Sequence, residues 1–360
     1  MITKFDISPR VPNGTPKYDV KDMVKNLKWV TDLNYSAGTL TFDLVQNDIP
    51  VLPAMGAVVD FAWDHKNVFY GFVFKTEFKA DKTVSVTAYD YERYLKSEGS
   101  IVFQAGTVWD RFKQVCRFDN VPFNNVKYNE VPNYTVPAEV CDGKTGFDMI
   151  KSAINKTYTA TGNMHFLYMN YNHLELGIAP RNNGGMRLVV DSRTVMTDFT
   201  FSESIDNTAN LVYVVQKNDS SSQSKTATAD ASNISTGEDP KTTSFTIASS
   251  WDNNTVSKWG TLKKVENAKN KANYAQMVQQ AKDKLKELNQ SEKTLSVDCL
   301  GDLGLTVGSG IDVTISDLSM TWHNCPIIKA THNFSENDYT CSLDVKVGSK
   351  WQSLEGASMS

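Results

Sequence analysis

The sequence predicts a mainly β protein with α+β parts: two small β-barrel domains flanking a small α+β module, with a long helix inserted in the C-terminal barrel. Three observations predict it. Short runs of apolar–polar alternation recur towards both ends of the chain, the pattern of strands with one buried face. Gly, Pro, Asn and Asp punctuate those runs closely enough for tightly turned antiparallel sheets. Between them, helical apolar periodicity appears at 107–118 and 143–156. At 360 residues the chain exceeds one ordinary core. The expected division is an N-terminal barrel at 1–95, an α+β middle at 96–190, a C-terminal barrel at 191–350 and a tail at 351–360.

Composition narrows the function classes. A net charge of −4 gives no global attraction to nucleic acid or to an anionic membrane. Cys116, Cys141, Cys299, Cys325 and Cys341 are scattered, odd in number and form no CxxC pair, as buried thiols of a protein assembled in a reducing compartment would be. The opening MITKFDISPR has no apolar signal core, and no stretch approaches the roughly 20 apolar residues of a spanning helix. Folding in a cytoplasm, without membrane insertion, is expected.

Residues 1–95 read as β. After a polar start, strands are expected at 24–31 and at 34–45, where Leu40, Phe42 and Leu44 alternate with polar residues. Asp48-Ile49-Pro50-Val51-Leu52-Pro53 is a proline-broken connection. Strands at 58–63 and 68–74 flank the hairpin loop Asp64-His65-Lys66-Asn67, and a turn at Ala80-Asp81-Lys82 leads to a strand at 84–90. Tyr89, Asp90 and Arg93 suggest a site. Asp90 and Arg93 stand three apart on one helical turn, however, so an ion pair positioning the exit helix is the expectation.

In the middle, TVWDRFKQVCRF at 107–118 puts Val108, Phe112, Val115 and Cys116 on one helix face, with Thr107 as cap. GKTGFDMIKSAINK at 143–156 repeats the pattern with Phe147, Ile150, Ala153 and Ile154. Strands at 164–169 and 174–178 follow around the turn Asn170-Tyr171-Asn172-His173. The aromatic group Tyr158, His165, Phe166, Tyr168 and Tyr171 has the ring faces to stack bases or sugars, but basic side chains to hold phosphate are absent nearby, and packing is the expected role.

Strand patterning returns over 189–216. The Ser-, Thr- and Asp-rich stretch 217–244 has little to bury and reads as a mobile loop or an insertion. At 261–290, Leu262, Val265, Ala268, Ala272, Ala275, Val278, Ala281, Leu285 and Leu288 fall at steps of three or four, so one long helix is expected. Its narrow, Ala-rich strip suits close packing on a barrel wall or a neighbouring subunit; a coiled-coil arm is the alternative. The stretch 294–347 alternates most clearly, in strands at 294–300, 310–315, 320–322, 327–334 and 338–347. Gly301, Gly304, Gly308 and Gly310 there offer positive-φ turns.

GDLGLTVGSGI at 301–311, IIKATHNF at 327–334 and the closing YTCSLDVKV at 339–347 together resemble the C-terminal barrel of phage baseplate hub proteins. The resemblance is to the XkdQ/YqbQ-like hubs of contractile tails, defective prophages and phage-tail-like bacteriocins of Gram-positive bacteria. VFYGFVF at 68–74 resembles that family's x-F-x-G-x-V strand, TAYDYERYL at 87–95 its A-Y-D-x-x-R-Y-L exit, and IDNTANLVYVV at 205–215 its entry to the second barrel. The motifs cover nearly the whole chain in order; 217–244 departs from them. The resemblance implies a structural baseplate hub, homotrimeric, whose two barrels per chain alternate into a pseudo-sixfold ring. Such a ring adapts a hexameric tail tube to a trimeric central spike. The implied partners are the spike, tail tube and tape measure proteins, and baseplate wedge or LysM-type proteins, with no specific nucleic acid. Assembly in the bacterial cytoplasm and residence in the particle's baseplate follow.

Catalytic sets are weak. His323, Cys325, His332 and Cys341 are zinc-capable types within a short span, but they lack paired cysteine spacing and fall on strand ends and turns. No GxSxG, HExxH, Walker loop or GxGxxG is present. The expectation is a protein without catalytic, cofactor-binding or metal-binding residues, and not an enzyme. Two other functions compete: a tail-associated peptidoglycan hydrolase or carbohydrate-binding module, and a type VI secretion spike component.

Overall fold

A computed structural model describes residues 1–10, 17–45, 53–124, 134–181, 188–219, 243–268, 272–335 and 338–347. The proline-broken connection at 48–52, most of the loop 217–244 and the tail 351–360 lie outside them. The chain forms two compact units, one of residues 1–201 and 294–360, the other of residues 202–293.

The first unit begins with β1 (Ile2–Ser8), β2 (Tyr18–Asp19), β3 (Val24–Asp32), β4 (Ser36–Leu44), β5 (Val58–Trp63), β6 (Lys66–Phe78) and β7 (Val84–Tyr89), which pair in the order β3-β4-β7-β6-β5-β1-β2. The alternation does the sorting. Leu40, Phe42 and Leu44 of β4 lie opposite Ala88, Val86 and Val84 of β7, and all six are buried with Phe5, Val59 and Phe61 in one core. The opening segment is a strand rather than a polar start, because buried Phe5 and Ile7 alternate with Lys4 and Asp6. The hairpin between β5 and β6 turns on Asp64 and His65 alone, both at positive φ (46° and 62°), the conformation of a tight two-residue loop.

A 3-10 turn at Tyr91–Lys96 leads into β8 (Glu98–Phe103), α1 (Val108–Phe118), β9 (Glu139–Thr145), α2 (Gly146–Thr161), β10 (Met164–Asn170) and β11 (His173–Ala179). Thr107 caps α1 in a reciprocal box with Asp110, and Thr145 caps α2. Phe112, Val115 and Cys116 meet Phe147, Ile150, Ala153 and Ile154 in a second core. Arg111 is buried there, paired with Glu139 and the Pro137 carbonyl, and its guanidinium carbon is 4.4 Å from the Phe103 ring centroid.

After β12 (Leu188–Asp191) and β13 (Met196–Ser204) the chain enters the second unit. Its β14 (Leu211–Asp219) pairs antiparallel with β15 (Thr243–Trp251) and parallel with β16 (Lys263–Asn267), with α3 (Asn253–Trp259) between them and α4 (Tyr274–Leu288) last. The single helix expected over 261–290 is therefore corrected. Asn210 fixes the start of β16, taking the Leu262 amide on its Oδ1 and donating to Gly260, and the helix begins only at the Asn273–Gln276 capping box. One sheet face packs Val214 and Ala248 against Met277 and Ala281 of α4. On the other face Phe245, Ile247, Trp251 and Val265 are all more than half exposed.

The first unit resumes with β17 (Glu292–Leu300), β18 (Gly310–Ile315), β19 (Met320–Phe334) and β20 (Tyr339–Lys346). The runs expected at 320–322 and 327–334 are one strand, the break absorbed by Asn324 at φ 54° and a register shift against β18. These strands pair in the order β13-β17-β20-β19, with β18 on β19 and β12 parallel to β18. Val297, Cys299, Ile311, Val313, Ile327 and Leu343 fill a third core. Of the four glycines expected at positive φ, Gly308 alone takes it (77°); Gly301 is required because a Cβ there would collide with the Tyr339 ring.

The fold is mainly β with an α+β part, as expected. Its two strand groups do not each close into a ring among the described residues. The outer edge of β3 is taken by β19, so both groups belong to one sheet that runs from β13 to β2.

Candidate functional site

The β3–β19 junction gathers two of the four zinc-capable residues of the C-terminal sequence, His332 and Cys341. His332 lies opposite Trp29 on one side and Cys341 on the other. Its ring stacks on Trp29 at 4.8 Å, and its Nδ1 is 2.8 Å from the Tyr339 hydroxyl and 3.1 Å from the Cys341 sulfur. Phe334 continues the stack between Trp63 and Tyr339. Burial sets the electrostatics: it pulls His332 down to about 4 and pushes the Cys341 and Cys299 thiols up to about 11 and about 12. Imidazole and thiols are therefore neutral together, and what the arrangement does is pack and hydrogen-bond.

The other two zinc-capable residues stand elsewhere. His323 is exposed with Nδ1 3.3 Å from Asp312, and Cys325 is buried with its sulfur 3.8 Å from the His323 carbonyl oxygen. Among the described residues no group of three or more His, Cys, Asp or Glu is placed to hold a metal.

At the exit of β7 the ion pair expected between Asp90 and Arg93 is not formed. Asp90 caps the 3-10 turn and accepts the Glu92 amide at 2.9 Å, while Arg93 lies over the Phe74 ring at 5.3 Å. The spacing of three paired them only for an α-helix; the cap turns the carboxylate inward. Glu92, which sequence reasoning did not single out, is buried beside Asp90. Burial raises both carboxyl groups well above the usual carboxylate range, and for Glu92 the neighbouring Asp90 adds to it.

The aromatic group of the middle module is divided between packing duties. Phe166 and Tyr168 stack at 5.3 Å in a cluster with Leu33 and Val307, His165 is buried, and Tyr171 donates to Asp60 at 2.7 Å. Tyr158 packs against the helical core.

The profile of the YqbQ-like family matches residues 27–237 and 234–346, from β3 through β20. The chain belongs to the YqbQ-like family. It is 27% identical over 296 residues to the uncharacterized protein YqbQ of Bacillus subtilis, covering 81% of each chain. The 43 kDa tail protein of prophage MuSo2 from Shewanella oneidensis superposes with a TM-score of 0.64 at 10% identity, over 95% of this chain and 98% of that one. A tail protein from Neisseria meningitidis gives 0.61 at 14% identity, over 97% and 98%. At these identities the likeness is one of fold: this YqbQ-like chain has the fold of phage tail proteins. The family match spans the β3–β19 junction, whose pairing nothing in the local sequence announces.

Proposed function

We propose that this protein is the structural hub of a contractile-tail baseplate, in an infectious phage or a phage-tail-like bacteriocin. Three copies form a ring that adapts the hexameric tail tube to the trimeric central spike, with tape measure and wedge or LysM-type proteins as further neighbours. The observation that carries this reading is the sheet running from β13 to β2 with two apolar cores along it. A chain with two such β modules supplies six in a trimer, enough for a sixfold partner, while keeping threefold symmetry for a spike. The expected division at residues 95 and 190 belongs to this proposal, with the α+β part between the two modules.

Membership of the YqbQ-like family and the shared tail-protein fold support the reading. So does the exposed apolar face formed by Phe245, Ile247, Trp251 and Val265, since such faces mark surfaces that are covered in an assembly. His332 and Cys341, packed and hydrogen-bonded in the β3–β19 junction, fit a structural role there. Assembly in the cytoplasm and residence in the particle follow from the same reading. A reconstruction of the parent particle tests it: three copies per baseplate are expected, and one copy or six would refute it. Turnover of peptidoglycan by the purified chain would favour a tail-associated hydrolase instead.

A further inference from the structure

Within the first unit, a cavity of about 190 Å3 lies where its three parts converge. Trp29 and Thr31 of β3, Val68 of β6, Tyr168 of β10, Arg181 and Thr306 are among the residues that line it. Arg181 is fixed by its backbone, donating to the Gly308 carbonyl at 2.7 Å and accepting from the Gly310 amide at 2.8 Å. Its guanidinium carbon sits 4.1 Å from the Tyr168 ring centroid, and its Nη2 donates to the hydroxyls of Thr306 (3.0 Å) and Ser309 (3.3 Å). Those acceptors are neutral, and among the described residues the guanidinium forms no ion pair. Its Nε, together with Oγ1 of Thr31, is buried without a hydrogen-bond partner. Glu175, the buried acid on β11, is occupied by Tyr168, Asn124 and Asn170.

Arg181 is half-buried, and a cation whose inward Nε donor is unmet costs free energy until an anion meets it; the guanidinium fork matches a carboxylate. The cavity is larger than the roughly 150 Å3 space known to accept a benzene ring. Trp29, Val68 and Leu303 give it an apolar part beside the polar side chains of Asn67 and Asn170. We propose that this cavity binds a carboxylate carried on a small apolar body, with Arg181 holding the carboxylate and the Thr31 hydroxyl as a second donor. Two sources carry that chemistry: a free small acid, and a glutamate side chain presented by another chain. Either would tie β3, β10 and the segment ahead of β18 to one another. The proposal does not depend on the baseplate reading.

Calorimetric titration and thermal unfolding of the full chain test it, with benzoate against benzamide and with N-acetyl-glutamate amide against N-acetyl-glutamine amide. At least one acid should bind saturably and raise the unfolding midpoint while its neutral counterpart does neither. Binding of benzoate alone assigns a free acid, and preference for the glutamate derivative assigns a partner's side chain. Arg181→Gln should weaken the bound acid about tenfold or more, the usual scale for a charge-assisted bond. Should that variant fail to fold, the nearly isosteric Thr31→Val should still weaken binding several-fold without shifting the ligand-free midpoint. Acids that bind no better than their amides, or an affinity unmoved by the substitutions, would overturn the proposal.

Discussion

Replacing Phe334 by Ala tests whether the two strand groups form one cooperative body. Phe334 ends β19, near the C-terminal end of the chain, yet its ring is buried in the N-terminal core. Its centroid lies 5.1 Å from Phe61, 4.9 Å from Trp63 and 4.6 Å from Tyr339. Truncating a core Phe costs roughly 3–5 kcal/mol, more where the lining cannot collapse into the space left. Phe61 and Trp63 sit on β5, paired on both edges, so collapse is hindered. Each aromatic pair adds about 0.5–1.5 kcal/mol beyond burial. The expected loss therefore lies in the upper half of that range, about 4–5 kcal/mol. Denaturant unfolding measures it, and hydrogen exchange read by mass spectrometry locates it. Peptides from β5–β6 and from β17–β20 should lose protection by equal amounts, because they open together. A loss below about 1 kcal/mol, or exchange that rises in one set of peptides only, would refute the shared body.

The remaining predictions rest on buried charge, metal and backbone. Asp90 and Glu92 have raised folded-state values, so their contribution to stability is full below the ordinary carboxylate range near pH 4 and is lost as pH rises towards those values. Asp90→Asn, which keeps an oxygen for the Glu92 amide, should flatten the decline in melting temperature between about pH 5 and 8; an unchanged slope would place its origin elsewhere. His165 and His332, held down to about 4 by burial, act in the opposite sense: their contribution is present above the ordinary value near 6.5 and is lost as pH falls through about 4, so substituting either should reduce acid sensitivity. A chelator should leave the melting temperature unchanged, since only His332 and Cys341 adjoin within the zinc-capable set; structural zinc is worth on the order of 10 kcal/mol, and its removal could not be missed. Gly308→Ala combines a positive φ with a collision against the Phe166 ring and should cost well over 2 kcal/mol, whereas Gly143→Ala, also at positive φ but facing open space, should cost only about 1–2 kcal/mol; equal losses would deny the collision.

Where sequence pattern and structure agree, the interaction that decides the element is local. Leu40, Phe42 and Leu44 name the inward face of β4 through a period of two, and Thr107 names the start of α1 because its cap partner is three residues away. The same alternation was present in β1 at Phe5 and Ile7 and was obscured by the polar residues around it. Residues 263–267 were ambiguous for a physical reason: Leu262, Val265 and Ala268 recur at steps of three, and five residues are too few to separate a strand from a helical turn. Asp90 misled because its spacing to Arg93 has meaning only in an α-helix. Arg181 carried no signal, since its isolation depends on which side chains the fold leaves out of reach.

The β3–β19 ladder was the least legible feature and has the widest consequence. Its register, His332 opposite Trp29 and Phe334 opposite Leu27, joins segments from opposite ends of the chain. β19 can serve β18, β20 and β3 because it is 15 residues long and shifts register along its length. Within one chain, the geometry between the two β modules is therefore set by backbone hydrogen bonds rather than by a linker. In the proposed ring of six modules, alternate junctions would be such intrachain ladders, and the others would be contacts between chains. Loosening the ladder would then disturb every second junction at once. Phe334→Ala particles should accordingly fail at ring closure even where the isolated chain still folds.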